Sequence, residues 1–177
     1  MPLIEYGHTD FGENKVQEAN EKWSDVKINN KNIKLHLIGR LQTNKVKLAL
    51  KIFDFIHSLD NEKLAKKLSE EQIKQNLKPK IFIQINIGDE EQKFGISKKY
   101  LKDYYNYCLD LDLDIIGLMC IPPEKKDSSY FFSEMQLLNK KINLKDLSMG
   151  MSSDYLNAIK YHSTYLRIGS KIFGERV

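Results

Sequence analysis

The chain alternates between short runs of apolar residues and longer stretches with apolar residues at helical spacing. The apolar runs lie at 35–39, 53–59, 81–87, 115–121, 146–149 and 165–169. Residues 9–12, Thr-Asp-Phe-Gly, look like the end of a further strand that leads into the first helix. The amphipathic stretches cover 15–23, 60–68, 100–108, 131–142 and 154–161, and Asp60 is a candidate N-cap for the second of them. This alternation predicts seven strands in βα units around a parallel sheet rather than a series of hairpins.

The strand count and the chain length bear on which α/β architecture is formed. A closed (β/α)8 barrel, the TIM barrel, usually takes about 250 residues, whereas this chain has 177 residues. An open doubly wound sheet is the competitor, but the Gly-rich fingerprint that marks it after the first strand is absent from the sequence. No Gly/Ser/Pro-rich stretch divides the chain. We therefore expect a single domain over residues 1–177, with a TIM-barrel-like fold that is one strand short.

Composition and charge narrow the classes of function. Twenty-eight Lys and Arg residues against 24 Asp and Glu residues give a formal net charge of +4, and this small excess is spread along the chain, which argues against a nucleic-acid-binding face. Cys108 and Cys120 have neither metal-site spacing nor disulfide density, so reduced thiols are expected. The sequence has no metal-binding HExxH motif, no leader pattern and no apolar run of membrane-spanning length. We expect a cytoplasmic protein without metal, nucleic acid or membrane partners.

Two loops that follow the last two predicted strands have the composition of anion-binding segments. Residues 148–154, Ser-Met-Gly-Met-Ser-Ser-Asp, combine small residues with a hydroxyl at the start of a helix. Residues 167–174, Arg-Ile-Gly-Ser-Lys-Ile-Phe-Gly, add the fixed positive charge of Arg167. Either loop alone is typical of an ordinary N-cap and turn. Two such loops at successive strand ends favour a phosphate site at one edge of a barrel.

Polar residues near other strands are further candidates, and each has a purely structural alternative. Asn14, in Phe-Gly-Glu-Asn at 11–14, is suited to hold a ligand oxygen or to cap a helix. Residues 41–45, Leu-Gln-Thr-Asn-Lys, belong to the functional face or begin a helix. His36 lies inside an apolar run, which favours a satisfied core histidine. The sequence offers no Ser/His/Asp series and no carboxylate pair suited to acid–base catalysis.

Taken in order, these motifs resemble the pyridoxal phosphate homeostasis protein family (YggS/PROSC), which is related in fold to the barrel domain of alanine racemase. The resemblance extends from about Leu3 to the C-terminus and is carried by FGEN with VQE (11–14, 16–18), HLIGRLQTNK (36–45), QINI with KFGI (84–87, 93–96), GLM (117–119), LSMGMS (147–152) and RIGSKIFG (167–174). It implies an alanine racemase N-terminal-domain type of barrel, here lacking its first strand and the preceding helix.

The resemblance also implies a function and a site. Family members bind pyridoxal 5′-phosphate (PLP) and buffer it or deliver it to PLP-requiring apoenzymes, which affects vitamin B6 and amino-acid homeostasis without established turnover. The residues implied at the cofactor are Asn14, Met151, Ser152, Arg167, Gly169 and Ser170, with Ser152, Gly169 and Ser170 at the phosphate. Arg167 would face the pyridine nitrogen. Because a guanidinium does not readily give up a proton, that nitrogen would stay unprotonated and the ring would be a weak electron sink.

The sequence departs from the family at the covalent anchor. Family members carry the Schiff-base lysine on a first strand ahead of Phe-Gly-Glu-Asn, whereas only ten residues precede Phe11 here and none is lysine. Covalent attachment of PLP is therefore not expected unless Lys93 or Lys45, the amines nearest the expected face, substitutes for it. Three explanations are open: a segment missing upstream, which we favour, a degenerate family member, or a barrel completed by a partner rather than a monomer.

Two other functions are compatible with the resemblance. A PLP-dependent amino-acid racemase shares the barrel, but it needs two acid–base groups that flank the substrate carbon, normally including the absent lysine. A barrel fragment without function would be aggregated or molten, because loss of a strand leaves two unpaired edges. We therefore favour a PLP-binding protein that is not an enzyme.

Overall fold

The computed structural model describes residues 2–124 and 126–174, in which helices and strands alternate as expected. In chain order the elements are α1 (Pro2–Glu5), β1 (Asp10–Glu13), α2 (Val16–Asn29), β2 (Lys34–Leu37), α3 (Val46–Ile52), β3 (Phe55–Leu59), α4 (Glu62–Gln75), β4 (Lys80–Ile85), α5 (Leu101–Asp110), β5 (Asp114–Cys120), α6 (Ser128–Lys141), β6 (Asp146–Met151), α7 (Tyr155–Lys160), β7 (Tyr165–Arg167) and α8 (Ser170–Phe173). Short 3-10 helices at Thr43–Lys45 and Lys98–Tyr100 lead into α3 and α5.

The strands form one parallel sheet that curls around its own interior. They pair in chain order from β1 to β7, so each βα unit adds the next strand. The rings of Tyr165 on β7 and His36 on β2 have centroids only 5.7 Å apart, which brings two strands together across the interior although four others separate them in the sheet. The result is the nearly closed TIM-barrel-like fold that the motif order implies. In the described part of the chain, β1 and β7 are its two edges.

Apolar side chains fill both sides of the sheet. The larger cluster lies between the strands and the helices and includes the fully buried Trp23, Leu68 and Phe132. A smaller cluster consists of Phe55, Phe82 and Met119, with Ile116 and Tyr165 packed against it. Because the strands are covered on both faces, all five residues of β3 are buried. Continuous apolar runs, rather than alternating ones, are the expected sequence pattern of such strands.

Local contacts hold α2 in place and determine where α4 begins. The indole N–H of Trp23 donates to Glu13 Oε1 at 2.7 Å, which holds α2 against the end of β1. The cap of α4 is Asn61, whose side chain accepts a hydrogen bond from the backbone N–H of Leu64 at 2.9 Å. The prediction that Asp60 caps this helix is therefore wrong by one residue. Asp60 instead occupies the turn directly after β3, where burial raises its pKa.

The second difference from the predicted elements lies at β6. Residues 148–151 belong to this strand, which runs to Met151, so the predicted loop is reduced to 152–154. Gly150 has a φ of +92°, and a Cβ at this position would lie 2.6 Å from Ala158 Cβ. The glycine therefore lets α7 pack directly on the end of β6. Within 41–45, Thr43–Lys45 form a 3-10 turn that continues into α3, which agrees with the helix-start alternative.

Candidate functional site

The loops after β6 and β7 lie side by side at the carboxyl edge of the sheet. Met151 at the end of β6 is the register partner of Arg167 at the end of β7. Just beyond them, the backbone N–H of Gly169 donates to Ser152 Oγ at 3.1 Å, and Ser170 begins α8. The structure thus brings together five of the six residues implied at the cofactor.

This corner of the molecule is open to solvent. A Cβ on Gly169 would meet no atom within 4 Å, Ser170 is exposed, and 37% of Met151 is accessible. One backbone donor is already used, because the N–H of Met151 donates to Asp154 Oδ1 at 2.7 Å. An incoming anion would therefore take its hydrogen bonds from other groups in the two loops, among them the hydroxyls of Ser152 and Ser170.

Asn14, the sixth implied residue, lies at the same end of the strands but across the space between the two edge strands, β1 and β7. It follows β1 and is exposed. A Cβ at Gly39 would come within 2.2 Å of the Asn14 carbonyl oxygen, so the chain needs glycine there to bring the ends of β1 and β2 together. No hydrogen bond joins Asn14 to Ser152 or Arg167 in the described part of the chain.

The two candidate amines lie in the segments that follow β2 and β4 at the carboxyl edge of the sheet. Lys93 lies in the segment after β4, which folds back so that Ile96 pairs with Ile85. Its Nζ is 2.9 Å from Glu90 Oε1, an ion pair that engages the amine. Lys45 ends the 3-10 helix that precedes α3.

Arg167 is anchored from inside the barrel. Its Nη1 donates to Ser148 Oγ at 2.7 Å and its Nη2 donates to the Cys120 carbonyl oxygen at 2.8 Å. Burial lowers the pKa of Arg167, while the neighbouring Cys120 and Asp154 act in the opposite direction. The guanidinium nevertheless remains a cation, because arginine is not deprotonated in proteins. Its two anchors leave the remaining N–H groups for a ligand at the edge of the sheet.

The Ser148 anchor continues as a chain of hydrogen bonds through the interior. Ser148 Oγ lies 2.8 Å from His57 Nδ1, and His57 Nε2 lies 3.0 Å from His36 Nδ1. His36 Nε2 in turn lies 3.0 Å from Asp10 Oδ1, at the opposite end of the sheet. The prediction that His36 is a satisfied core histidine is correct, since it is 5% exposed and both ring nitrogens have partners.

Burial and charge set the protonation of these groups. Burial lowers the pKa of His36, and its contact with Asp10 only partly opposes this effect. Burial likewise holds the pKa of His57 well below the ordinary value, assisted by the nearby His36 and Arg167. For Asp10, burial raises the pKa, but hydrogen bonds from Thr9 and His36 outweigh it and the net pKa is lowered. At neutral pH this series of hydrogen bonds therefore joins two neutral imidazoles to an ionised carboxylate.

Asp10, His57 and Ser148 were not identified as members of a network from the sequence. Each histidine stacks on a phenylalanine, His36 on Phe55 at 4.2 Å and His57 on Phe82 at 4.3 Å between ring centroids. A signal was present, because His36, His57 and Ser148 are polar residues inside three separate apolar runs. Periodicity alone does not show that three such residues face the same interior.

Among the described residues, the remaining reactive or metal-binding side chains form no further site. Both cysteines are buried free thiols, and burial raises the pKa of Cys108 and of Cys120 to about 12. Within residues 2–124 and 126–174, no three His, Cys, Asp or Glu side chains are grouped to hold a metal ion. The same segments contain no helix that is long and apolar enough to cross a membrane.

The buried histidines predict a loss of stability in acid. Both folded-state pKa values lie below the ordinary value of 6.5, so the unfolded chain takes up protons first as the pH falls through that value. The free energy of unfolding should then decrease by at most about 1.4 kcal/mol per pH unit for each histidine. Urea denaturation at a series of pH values measures this slope. His57→Gln should reduce this slope, and an identical slope in that variant would contradict the lowered pKa of His57.

Comparison with known proteins places the chain in a family. Residues 1–177 match the sequence profile described as alanine racemase, N-terminal domain. A pyridoxal phosphate homeostasis protein of Aquifex aeolicus is 38% identical over 176 residues, covering 94% of this chain and 76% of the relative. One of Pasteurella multocida is 38% identical over 181 residues, covering 96% and 78%.

A solved structure agrees with these sequence matches. PipY of Synechococcus elongatus, determined without PLP and with PLP bound, superimposes with a TM-score of 0.89 at 30% identity, covering 98% of this chain and 85% of PipY. With a family profile matched along its whole length and relatives of this similarity, the chain belongs to the alanine racemase N-terminal domain family and, within it, to the pyridoxal phosphate homeostasis proteins.

Proposed function

We propose that this chain is a single-domain, cytoplasmic PLP-binding protein that contributes to vitamin B6 and amino-acid homeostasis. The observation that supports it most is the corner formed by the ends of β6 and β7. There, Ser152 and Gly169 are in contact, and Arg167 presents a charge anchored by two interior acceptors. The relative PipY, whose fold matches, has been solved with PLP bound.

In the proposed complex, the phosphate lies against Ser152, Gly169 and Ser170. Short loops rich in serine and glycine suit this role, because hydroxyls and backbone N–H groups can approach the phosphate oxygens closely. Met151 lies beside this loop, and Asn14 lines the pocket from the end of β1. These assignments fit the openness around Gly169, where no atom lies within 4 Å of a potential Cβ.

Arg167 is proposed to face the pyridine nitrogen. Bound PLP supplies an aldehyde that reacts reversibly with amines and a ring whose electron demand depends on the protonation of its nitrogen. Arg167 donates hydrogen bonds and keeps its proton, so it leaves that nitrogen unprotonated. A weak electron sink suits storage and delivery of the cofactor to PLP-requiring apoenzymes better than carbanion chemistry, and we propose that the protein has no enzymatic turnover.

The family profile also favours testing one other function, an amino-acid racemase. Such a reaction needs two acid–base groups on opposite sides of the substrate carbon. The buried Cys120 is poorly suited, because burial raises its pKa to about 12, and the interior histidines already have partners at both ring nitrogens. Racemisation of alanine by the PLP-loaded chain would favour the enzyme over the carrier.

Substitutions at the phosphate loop and at Arg167 test the site. Ser152→Ala and Arg167→Gln should each weaken PLP binding about tenfold, the effect of losing a hydrogen bond to a charged group. Ser153→Ala is the matched control, because Ser153 is the exposed neighbour of Ser152. Isothermal titration with PLP gives the dissociation constants. Unchanged affinity in both variants would refute the assignment.

Covalent capture is tested at the two candidate amines. We expect PLP to bind without a specific adduct, since Lys93 is engaged by Glu90 and Lys45 lies in the turn before α3. Borohydride reduction of the PLP complex, followed by peptide mass spectrometry, reports any lysine that has formed an imine. Stoichiometric labelling of Lys93 or Lys45 would show instead that a substitute anchor operates, and Lys93→Arg or Lys45→Arg would then abolish it.

A further inference from the structure

Five side chains form a continuous polar path through the barrel. Asp10 is the first residue of β1, His36 lies on β2, His57 on β3, Ser148 on β6 and Arg167 is the last residue of β7. The four successive contacts measure 3.0, 3.0, 2.8 and 2.7 Å. The path begins near solvent, because the Asp10 side chain is 51% exposed. It ends at the guanidinium beside the proposed phosphate loops.

The hydrogen atoms on these side chains determine which group donates and which accepts at each contact along the path. Arg167 donates only, so Ser148 Oγ must accept from it. The three remaining contacts share three hydrogens, one on each neutral imidazole and one on the Ser148 hydroxyl. With an ionised Asp10 that only accepts, every contact is filled in one way alone. Ser148 donates to His57 Nδ1, His57 Nε2–H donates to His36 Nδ1, and His36 Nε2–H donates to Asp10.

The reverse direction is possible only with a neutral carboxylic acid at Asp10. Each histidine would then donate from the opposite nitrogen, and Ser148 would accept from both His57 and Arg167. Its own hydrogen would have no acceptor, because within the described residues its hydroxyl is in hydrogen-bond contact with these two side chains alone. The half-exposed Asp10 carboxylate, which accepts a hydrogen bond from Thr9 at 2.7 Å, disfavours this state.

We propose that Asp10 is a positioning residue for the PLP site, acting on Arg167 through His36, His57 and Ser148. The inference rests on the proposed function, since Arg167 matters here as the group that faces the pyridine nitrogen. A hydroxyl that donates one hydrogen bond becomes a better acceptor for another, because hydrogen bonds in a chain polarise one another. The carboxylate at one end of the barrel thereby strengthens the contact that orients the guanidinium at the other end.

The unliganded wild-type chain provides the first test. Long-range ¹H–¹⁵N correlation spectra at neutral pH distinguish the two neutral tautomers of each imidazole, and His36→Gln and His57→Gln assign the signals. The proposal expects both His36 and His57 with the hydrogen on Nε2. A hydrogen on Nδ1 of either histidine would overturn it, whether or not the protein binds PLP.

The second test links the path to binding. Asp10→Ala should disturb both tautomers and weaken PLP binding about fivefold, the value of roughly one hydrogen bond. Asp114→Ala is the matched control, because Asp114 begins β5 at the same end of the sheet. Circular dichroism establishes that each variant is folded. Thr9→Val removes only a competing hydrogen bond to Asp10 and leaves its carboxylate ionised, so this variant should keep both tautomers and bind PLP as the wild type does.

The outcomes separate this inference from the proposed function. Nε2–H tautomers in wild type together with weaker binding in Asp10→Ala support both. If the wild-type chain binds PLP and a folded Asp10→Ala variant binds it equally tightly, the positioning role is overturned and the proposed function stays intact. If the wild-type chain does not bind PLP, the proposed function fails and the positioning role with it.

Discussion

The hydrogen bond between the Arg167 guanidinium and the Ser148 hydroxyl connects the barrel interior to the loops at its carboxyl edge. The central strands of the curled parallel sheet bury both faces, so polar atoms in the interior must satisfy one another. Arg167 therefore needs an acceptor, and the buried acceptor itself needs a partner. That requirement passes from Ser148 through two histidines and is met only where Asp10 reaches solvent.

The same requirement explains why the proposed site combines solvent-exposed loops with an arginine that is held rigidly from the interior. The phosphate side consists of serine and glycine in short loops, where little packing restricts the approach of an anion. Arg167, in contrast, is held at two nitrogens by groups on β5 and β6. A cation held in this way can accept or release a ligand without rearranging the core, which is consistent with a protein that carries a cofactor.

Much of the fold was predictable from the sequence because its signals are local. Apolar runs marked β2 to β7, and small polar residues after the last two runs marked the loops that meet at Ser152 and Gly169. The errors were also local, since neither the one-residue shift of the α4 cap to Asn61 nor the extension of β6 to Met151 changes the hydrophobic pattern.

The interior network was not predictable for a physical reason. Whether His36, His57 and Ser148 meet depends on the curl of the sheet, which brings β3 opposite β6, and residues 91 positions apart carry no mutual signal in one sequence. Asp10 was hidden for the same reason, because it reaches His36 only through the register of β1 with β2. Only the three-dimensional structure shows which residues belong to the path.

The proposed site requires that Arg167 contact the pyridine nitrogen of a cofactor bound at the ends of β6 and β7. Nitrogen NMR of PLP labelled with ¹⁵N in the pyridine ring, added to the purified chain, tests this contact most directly. We expect a bound signal in the range of an unprotonated pyridine nitrogen that accepts a hydrogen bond, and this signal should change in Arg167→Gln. A bound signal of a protonated pyridinium, or one unaffected by the substitution, would refute the contact with Arg167.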